Sequence, residues 1–402
     1  METTKTKYNY KFHVSRRVNI PLWKNVAIQV AAGVIALLLC GIVSQIVGGN
    51  IGEFFAELFN GALGTQRRIA NLLLTTALLL LVSLAVTPAF KMKFWNIGAE
   101  GQVLMGALFA IFAIRWFGGK IPEGLLIVIM LIFSIIGSVI WAVLPAIFKA
   151  FFNTNETLFT LMMNYIAMGL ITYLITLWYP LSTGDMGVIK HGQMFSSTHG
   201  SVGVIASQTF YSDLIIVLVA VMMTVAMFVY LKYQKHGYEL TVVGESVNTA
   251  KYIGINVKKV IIRTMILSGA ICGLTGFLIV SASAHTLNTA VAGGRGFTAI
   301  LVSWLSNFNP GIMAIMAFLV AFIDQGAANA ATSFGFKDSF ADIMTGIFFF
   351  ALIASTFFIN YEMKVNKTVK DPKVIIDVPK AEVPAESQSI VLDEKTEVKE
   401  DK

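Results

Sequence analysis

The sequence predicts an all-α polytopic membrane protein with about ten transmembrane helices. Of its 402 residues, 56% are hydrophobic and only 13% are charged, and the mean hydropathy is +0.73. Apolar runs of membrane-spanning length, roughly 20 residues, recur along the chain. Because backbone polar groups in a bilayer must be satisfied internally, and because the alternating pattern of a membrane barrel is absent, each run is predicted to be a helix.

Nine apolar runs are long enough to span a bilayer: 26–47, 70–87, 100–117, 124–147, 157–178, 211–231, 260–283, 311–330 and 341–360. A tenth run, at 296–308, is shorter and ambiguous by itself. The first run follows about 25 mostly polar residues and has full spanning length, so it is predicted to be a retained helix rather than a cleaved signal.

The positions of Lys and Arg predict which loops face the cytoplasm, because these residues are enriched at cytoplasmic span ends. They place the N-terminus, the loops around Lys93 and Lys149, and the stretch 232–263 inside, while Arg67 and Arg68 fall outside as exceptions. Four lysines after the last run also favour the inside: Lys364, Lys367, Lys370 and Lys373. Both ends inside require an even number of crossings, so the run at 296–308 is predicted to count as the tenth.

The chain is predicted to consist of three parts. Residues 1–24 form a basic cytoplasmic segment, residues 25–361 form the transmembrane domain, and residues 362–402 form a disordered cytoplasmic tail without hydrophobic periodicity. The basic clusters are also compatible with a patch for nucleic acid or anionic lipid, but charges between spans are typical topology signals. Cys40 and Cys272 lie within spans and are predicted to be packing residues.

The stretch 232–263 is a basic, polar island between two spans. Ser246 to Ile255 can form a short helix with Val247, Ala250 and either Ile253 or Gly254 on one side. Such a helix can dock in a groove of another protein, but a long cytoplasmic loop commonly contains a helical turn without that role. From the pattern alone, both interpretations stay open.

Two further places combine glycines with polar residues at membrane depth. In Phe94–Gln102, Glu100 lies beside two glycines at the start of an apolar run, which is typical of a polar path or of a carboxylate that caps the next helix, and the two roles are compatible. Ala292–Thr298 surrounds Arg295 with three glycines. No Gly-Lys-Ser or Gly-Lys-Thr follows, so this is not a nucleotide phosphate loop, and we interpret it as a second broken helix.

Four ordered motifs carry a resemblance to a known family. They are Asn96–Gln102, Asn155–Glu156 followed by Leu161–Ala167, Gly244–Ile255, and Gly294–Thr298. Over roughly residues 20 to 360 the chain resembles permease subunits of ATP-binding-cassette (ABC) importers, in the nucleoside-type branch of the branched-chain amino acid and ribose permease superfamily. The implied fold is that of a type II-like importer permease with two inverted five-helix halves and broken helices.

The resemblance implies a transport subunit in the cell membrane that has no ATPase site, catalytic residue, metal or cofactor of its own. ATP would be bound by a partner ATPase, which docks on the coupling loop 232–259. A second homologous permease and an extracytoplasmic substrate-binding lipoprotein would complete the importer, with membrane lipid around it and no nucleic acid. Nucleosides, or a related sugar-containing solute, would cross by alternating access.

The resemblance also assigns residues to roles. Those expected to couple to the ATPase are Gly244, Glu245, Asn248, Thr249, Ala250, Tyr252, Gly254 and Ile255; Glu245–Val247 and Thr249–Ala250 depart from the usual family pattern, which leaves the identity of the ATPase open. Asn96, Glu100, Gln102 and Asn164 are expected to line the path, with interhelical hydrogen bonding as the alternative role. Gly98, Gly101, Gly294, Arg295 and Gly296 are expected to break helices.

Two other functional classes were weighed. An ion-coupled secondary transporter or channel is expected to place several charged residues within its spans, whereas only Asp324 and Glu100 qualify here. The roles of Asp324 and Gln325 are left open. A membrane enzyme needs a nucleophile or metal constellation, and the sequence contains no His-Glu-x-x-His, Gly-x-Ser-x-Gly or Cys-x-x-Cys motif.

Overall fold

The computed structural model describes residues 8–16, 22–179, 184–193, 202–337 and 339–369. They fall into two units: a membrane unit, Ile20–Ile359, and a terminal unit made of the two chain ends, Met1–Asn19 and Asn360–Lys402. The membrane unit is helical throughout its regular structure, as predicted.

The helices follow one another in chain order. They are α1 (Leu22–Val47), α2 (Ile51–Leu63), α3 (Gln66–Lys91), α4 (Ala99–Phe117), α5 (Glu123–Phe152), α6 (Glu156–Trp178), α7 (Val202–Tyr233), α8 (Lys235–Glu245), α9 (Val247–Tyr252), α10 (Val257–Leu278, extended by a π-helical turn, Ile279–Ser283), α11 (Arg295–Leu305), α12 (Pro310–Phe334) and α13 (Ser339–Asn360). Helices α3, α4 and α10 are the most buried and form the centre of the unit.

Within the described residues, nine helices are long and apolar enough to span a membrane, and they coincide with the nine predicted runs. Their lengths follow from continuous apolar sequence, and several begin at a side-chain cap. Asn155 caps α6, Asn256 caps α10 and Asn309 caps α12, each by accepting a hydrogen bond from a backbone N–H of the first turn. The nine predicted spans are therefore confirmed as helices.

The ambiguous tenth run forms α11, which is only 11 residues long and too short to span a membrane by itself. At its start, the Gly296 N–H donates to Glu100 of α4. Near its end, the Ser303 hydroxyl lies 2.9 Å from that of Thr87, four residues before the end of α3. The segment 284–305 thus leads from the end of α10 to the level of the last turns of α3, and that it completes a tenth crossing stays a prediction. We call the side of the α3 C-terminus the coupling side, and the other the far side.

A polar cluster on the far side joins α2, α3 and α12. The Arg68 guanidinium donates to the Asn60 carbonyl and to Asn329 Oδ1, and the Gln325 amide donates to the carbonyls of Gly61 and Arg68. Asn329 Nδ2 in turn donates to the Glu57 carboxylate at 2.8 Å. These contacts explain why an arginine tolerates the far side, and they give Gln325 a structural role.

The terminal unit corrects one expectation. Strand β1 (Tyr8–Arg16) pairs antiparallel with β2 (Tyr361–Val369), in a register that runs from Tyr8 opposite Val369 to Arg16 opposite Tyr361. Residues 362–369 were expected to be disordered, and they form a strand because the N-terminal segment supplies a partner for their backbone hydrogen bonds. The rest of the expected tail, residues 370–402, lies outside the described residues.

Candidate translocation and coupling sites

The segment that connects α3 with α4 interrupts the helical structure within the membrane unit. At the end of α3, the Lys93 N–H donates to the Phe90 carbonyl and the Phe94 N–H donates to the Ala89 carbonyl, while Lys93 adopts a φ of 59°. This closes the helix with a left-handed residue, a position that usually carries glycine. The chain then runs through Phe94–Gly98 without helical structure, so α4 begins inside the bundle rather than at its surface.

Asn96 organises this non-helical segment. Its Nδ2 donates to Ser268 Oγ of α10 at 3.3 Å, while its Oδ1 accepts from the Gly98 N–H and from Gln102 Nε2 at 3.1 and 3.2 Å. The polar atoms of the asparagine therefore replace the hydrogen bonds that a helix would have supplied. This satisfies an irregular backbone that lipid could not solvate.

Asn164 holds the same segment from α6. Its Oδ1 accepts from the Gly101 N–H at 2.8 Å, and its Nδ2 donates to the Ile97 carbonyl at 2.9 Å. Thr160, one turn earlier, accepts from the Ile97 N–H at 3.2 Å. Since Asn164 lies eight residues into α6, about 12 Å along the axis at 1.5 Å per residue, the start of α4 is well below the membrane surface.

Glu100 caps a different helix from the one expected. Its carboxylate accepts from the Gly294 N–H at 2.8 Å and from the Gly296 N–H at 2.7 Å, so it caps α11 and not the first turn of its own helix. Gly294 has a φ of 68°, and a Cβ on Gly296 would lie 2.3 Å from the Glu100 nitrogen. Gly294 thus allows the left-handed turn before α11, and Gly296 allows the close approach of α11 to Glu100, while the broken-helix role expected for these glycines stays a prediction.

The glycine-rich loop around Arg295 binds a carboxylate of the same chain, that of Glu100. The backbone N–H groups at the start of α11 point at Glu100, where the helix dipole also favours negative charge. The Arg295 guanidinium turns back to the carbonyls of Val291 and Ala292. The backbone N–H groups of this loop therefore form the binding site of the Glu100 carboxylate.

The four residues expected to line the path are brought together, but they face inward. All four side chains are at most 2% exposed, and their polar atoms form hydrogen bonds within the chain: Asn96, Glu100, Gln102 and Asn164. In this conformation the geometry therefore matches the alternative role, interhelical hydrogen bonding. A place on the path stays a prediction for these side chains.

The coupling loop forms two helices instead of one. α8 ends at Glu245, and Ser246 caps the short helix α9 by accepting from the Thr249 N–H at 3.2 Å. Ala250 is buried, and its carbonyl accepts from the Ile255 N–H at 2.9 Å, which seats α9 beside the start of α10. Of the residues predicted to share one face of this helix, Ala250 is buried, whereas Val247 and Ile253 are exposed.

The expected coupling residues therefore split into two groups. Gly244 and Ala250 face the bundle, and Ile255 is half-buried. The others are exposed on the coupling side, where Tyr252 reaches 93% exposure: Glu245, Asn248, Thr249, Tyr252 and Gly254. The loop thus exposes polar and aromatic side chains on the coupling side, while the small buried residue Ala250 holds it against the bundle.

A hydrogen-bonded loop on the far side was not found by sequence reasoning. In residues 184–193, the Met186 and Ile189 N–H groups donate to the carbonyls of Leu287 and His285. Asp185 accepts from the Thr286 hydroxyl, which is the main reason that its pKa lies below the ordinary value, with the Gly187 N–H adding to the effect. No periodicity or motif in the sequence points to these pairings.

The cysteines and acidic groups form no metal centre among the residues with described positions. Cys40 and Cys272 are buried and unpaired with each other. The Cys40 thiol donates to the Met344 carbonyl, across the pair α1 and α13. Their predicted packing role is confirmed.

Comparison with known proteins decides the family. The model of the branched-chain amino acid transport system permease component matches residues 68–387, most of the chain. The protein belongs to this permease family. It is accordingly a multi-pass membrane protein and the permease component of an ABC importer, which fits the broken helices and the exposed coupling loop and disfavours the secondary-transporter alternative.

The alignments with three curated relatives of the permease cover nearly the whole length of each relative. The glucose ABC transporter permease protein TsgB13 of Haloferax volcanii is 26% identical over 364 residues, 88% of this chain and 94% of the relative. The guanosine ABC transporter permease protein NupP of Bacillus subtilis is 27% identical over 84% of this chain and 95% of its own. The nucleoside ABC transporter permease protein NupB of Lactococcus lactis subsp. cremoris is 26% identical over 86% and 95%.

Proposed function

We propose that this permease moves nucleosides, or a related sugar-containing solute, across the cell membrane by alternating access. The resemblance in four motifs supports the substrate class, as do relatives named for guanosine, nucleoside and glucose transport. Ribosides and hexoses share a polyhydroxylated ring, so polar hydrogen-bonding groups along a path suit all of them. Nucleosides are the first candidates for a transport assay.

The ATPase docks on the solvent-exposed surface of α8 and α9, on the coupling side. The observation that carries this proposal is Tyr252, an aromatic residue that is 93% exposed on a short helix capped by Ser246 and anchored by buried Ala250. Large exposed aromatic residues are common hot spots of protein interfaces. ATP is bound and hydrolysed by this partner, since the permease sequence has no phosphate-loop motif.

The coupling side is the cytoplasmic side. Lys93 and Lys149 border one cleft with the coupling loop on this side, and Lys232, Lys235 and Lys251 belong to the same loop region. An excess of Lys and Arg next to spans favours the cytoplasm. Ten crossings then place both chain ends in the cytoplasm.

A second, homologous permease completes the path, and an extracytoplasmic binding protein delivers the substrate. The buried state of Asn96, Glu100, Gln102 and Asn164 supports the pairing, because one chain alone keeps its polar groups for internal hydrogen bonds. The two permeases rock between outward-open and inward-open states when the ATPases close.

Docking is tested by copurification of the ATPase with the permease after Tyr252→Ala. Loss of a hot-spot aromatic costs at least about 2 kcal/mol, which corresponds to roughly thirty-fold weaker binding. Tyr173→Ala is the matched control, since Tyr173 is 64% exposed on the membrane-spanning helix α6. Equal ATPase recovery with the Tyr252 variant and with wild type would contradict the docking surface.

Transport is tested in proteoliposomes that hold the assembled importer. Uptake of labelled guanosine is expected to require ATP hydrolysis and to be reduced by unlabelled nucleosides more than by glucose. Stronger competition by glucose would shift the substrate class to sugars. Uptake by the permease alone, driven by an ion gradient, would refute the importer mechanism.

A further inference from the structure

A backbone contact joins the coupling loop to the central helices. Gly244, one residue before the end of α8, is buried against the C-terminal end of α3. A Cβ at this position would lie 2.3 Å from the Lys91 carbonyl oxygen and 3.3 Å from the Met92 Cα. The two backbones are therefore in direct contact, without a side chain between them that could absorb a displacement.

The contact lies directly before the break between α3 and α4. Met92 and Phe94 are buried, and Lys93 makes the left-handed turn between them. Two residues later, Asn96 holds the start of α4, and Glu100 joins that start to α11. A displacement of the α3 end thus reaches both broken helices within one short stretch of chain.

A cleft borders this contact on the coupling side. It has a volume of about 330 Å³, and residues 243–247 line it together with residues from the end of α3, the α5–α6 corner and α10: Met92, Lys93, Phe94, Lys149, Asn153, Glu156, Val257 and Ile261. Lys149 and Glu156 form an ion pair at 2.9 Å within that corner. Open space therefore lies between the loop and the α5–α6 corner, whereas the Gly244 backbone contacts the end of α3 directly.

We propose that Gly244 is a positioning residue through which movement of the coupling loop enters the membrane helices, by way of Lys91–Met92 and the segment Phe94–Gly98. This inference rests on the proposed docking of an ATPase on α8 and α9. It adds a route: the force passes from α8 to α3, then to the start of α4, and through Glu100 to α11. Glycine is needed at 244 because only it allows the two backbones to touch.

A competing route runs from α8 to α10. Arg263 Nη2 donates to Glu239 Oε2 at 2.6 Å, and this pair also fastens α8 to the bundle. Its link consists of two long side chains, which readjust when a helix shifts, and the Arg263 side chain is 43% exposed. The backbone contact at Gly244 is the stiffer connection, so we assign the transmission to it.

The test is the number of substrate molecules transported per ATP hydrolysed by the complete importer in proteoliposomes. Gly244→Ala adds a methyl group that must move the two backbones apart by about 1 Å to reach ordinary van der Waals distance. Because small misplacements of this size are costly in coupled machinery, the ratio is expected to fall about tenfold, while copurification of the ATPase is retained. Gly169→Ala is the matched control, since a Cβ on Gly169 meets nothing within 4 Å.

A second variant approaches the same contact from the end of α3. Phe94→Leu shrinks the first buried side chain after the turn and is expected to lower the same ratio at equal ATPase recovery. It decides the question by the same criterion if the Gly244→Ala complex does not assemble. A normal ratio in the assembled Gly244 variant would overturn the proposal, as would uncoupling by Glu239→Gln alone. Failure of the wild-type permease to recover an ATPase would instead refute the proposed function from which this inference starts.

Discussion

The replacement of Glu100 by Gln tests the junction between the two broken helices. The carboxylate accepts hydrogen bonds from two buried backbone N–H groups, those of Gly294 and Gly296. A glutamine side chain keeps one carbonyl oxygen and turns an amide toward the second N–H group. One buried donor is then left without an acceptor, which costs about 1–3 kcal/mol.

The remaining hydrogen bond is also weakened. A bond to a neutral carbonyl has about half the strength of a bond to a carboxylate, and the favourable interaction with the α11 dipole is lost. Together these effects predict a loss of about 2–4 kcal/mol in the free energy of unfolding. In a chain of this size, we expect the melting temperature to fall by at least about 3 °C.

The buried cysteines provide the assay. Cys40 and Cys272 react with a thiol-specific fluorescent dye only when the helices around them separate, so dye fluorescence during heating in detergent reports unfolding. Glu53→Gln is the matched control, because Glu53 is exposed in the first turn of α2. A melting temperature of the Glu100 variant equal to that of wild type, or an equal decrease in the control, would refute the reasoning.

Three further predictions follow from local geometry. Gly296→Ala drives a Cβ into Glu100 and is expected to lower the free energy of unfolding by about 1–3 kcal/mol, whereas Gly169→Ala, with open space around it, leaves the dye-monitored melting temperature near wild type. Lys93→Gly relieves the left-handed conformation and is expected to raise the free energy of unfolding by about 1 kcal/mol in the same assay, and a decrease would contradict the assigned helix end. Since the pKa of Asp185 is lowered from 3.8, chiefly by Thr286, its contribution is fully present above that value and is lost as the pH falls through the lowered pKa. Hydrogen-exchange protection of residues 184–193, corrected for intrinsic rates, is expected to fall in this acid range and to do so at higher pH in Thr286→Ala, so identical profiles would count against the link.

The spans were predictable because their signal is local. A run of about 20 apolar residues identifies a membrane helix without knowledge of its neighbours. The segment 284–305 was harder, since α11 alone is too short and its depth depends on Glu100 and Thr87, which belong to other helices. A tenth crossing stays a prediction of charge counting, because Lys and Arg report on the sum of all crossings.

The broken helices were predictable as positions but not as contacts. The glycines beside Glu100 and Arg295 were expected to break helices; the structure places Gly98 and Gly294 directly before α4 and α11, and Gly101 and Gly296 within them. The capping rule, which considers neighbours within one turn, assigned Glu100 to its own helix, whereas its partners lie almost 200 residues away. Asn96 and Asn164 were noticed as polar residues, but only tertiary structure shows that they substitute for missing backbone hydrogen bonds.

The far-side loop and the terminal strands escaped prediction for a different reason. Residues 184–193 carry no periodicity, and their order comes from backbone bonds to the segment that follows α10. The strands β1 and β2 each contain charged residues and have no nearby turn signal. Their pairing partners come from opposite ends of the chain, beyond the reach of any local pattern.

The pairing of β1 with β2 also sets an order of events during synthesis. Arg16 precedes the described membrane helices in the chain, yet its partner Tyr361 follows the last of them. Contacts of such separation form late, because the loop between them must first be closed. The N-terminal strand therefore waits, with its backbone unpaired, until every helix has been translated. A chain cut before Tyr361 keeps the helices described from α1 to α13 but lacks the partner that completes this ribbon.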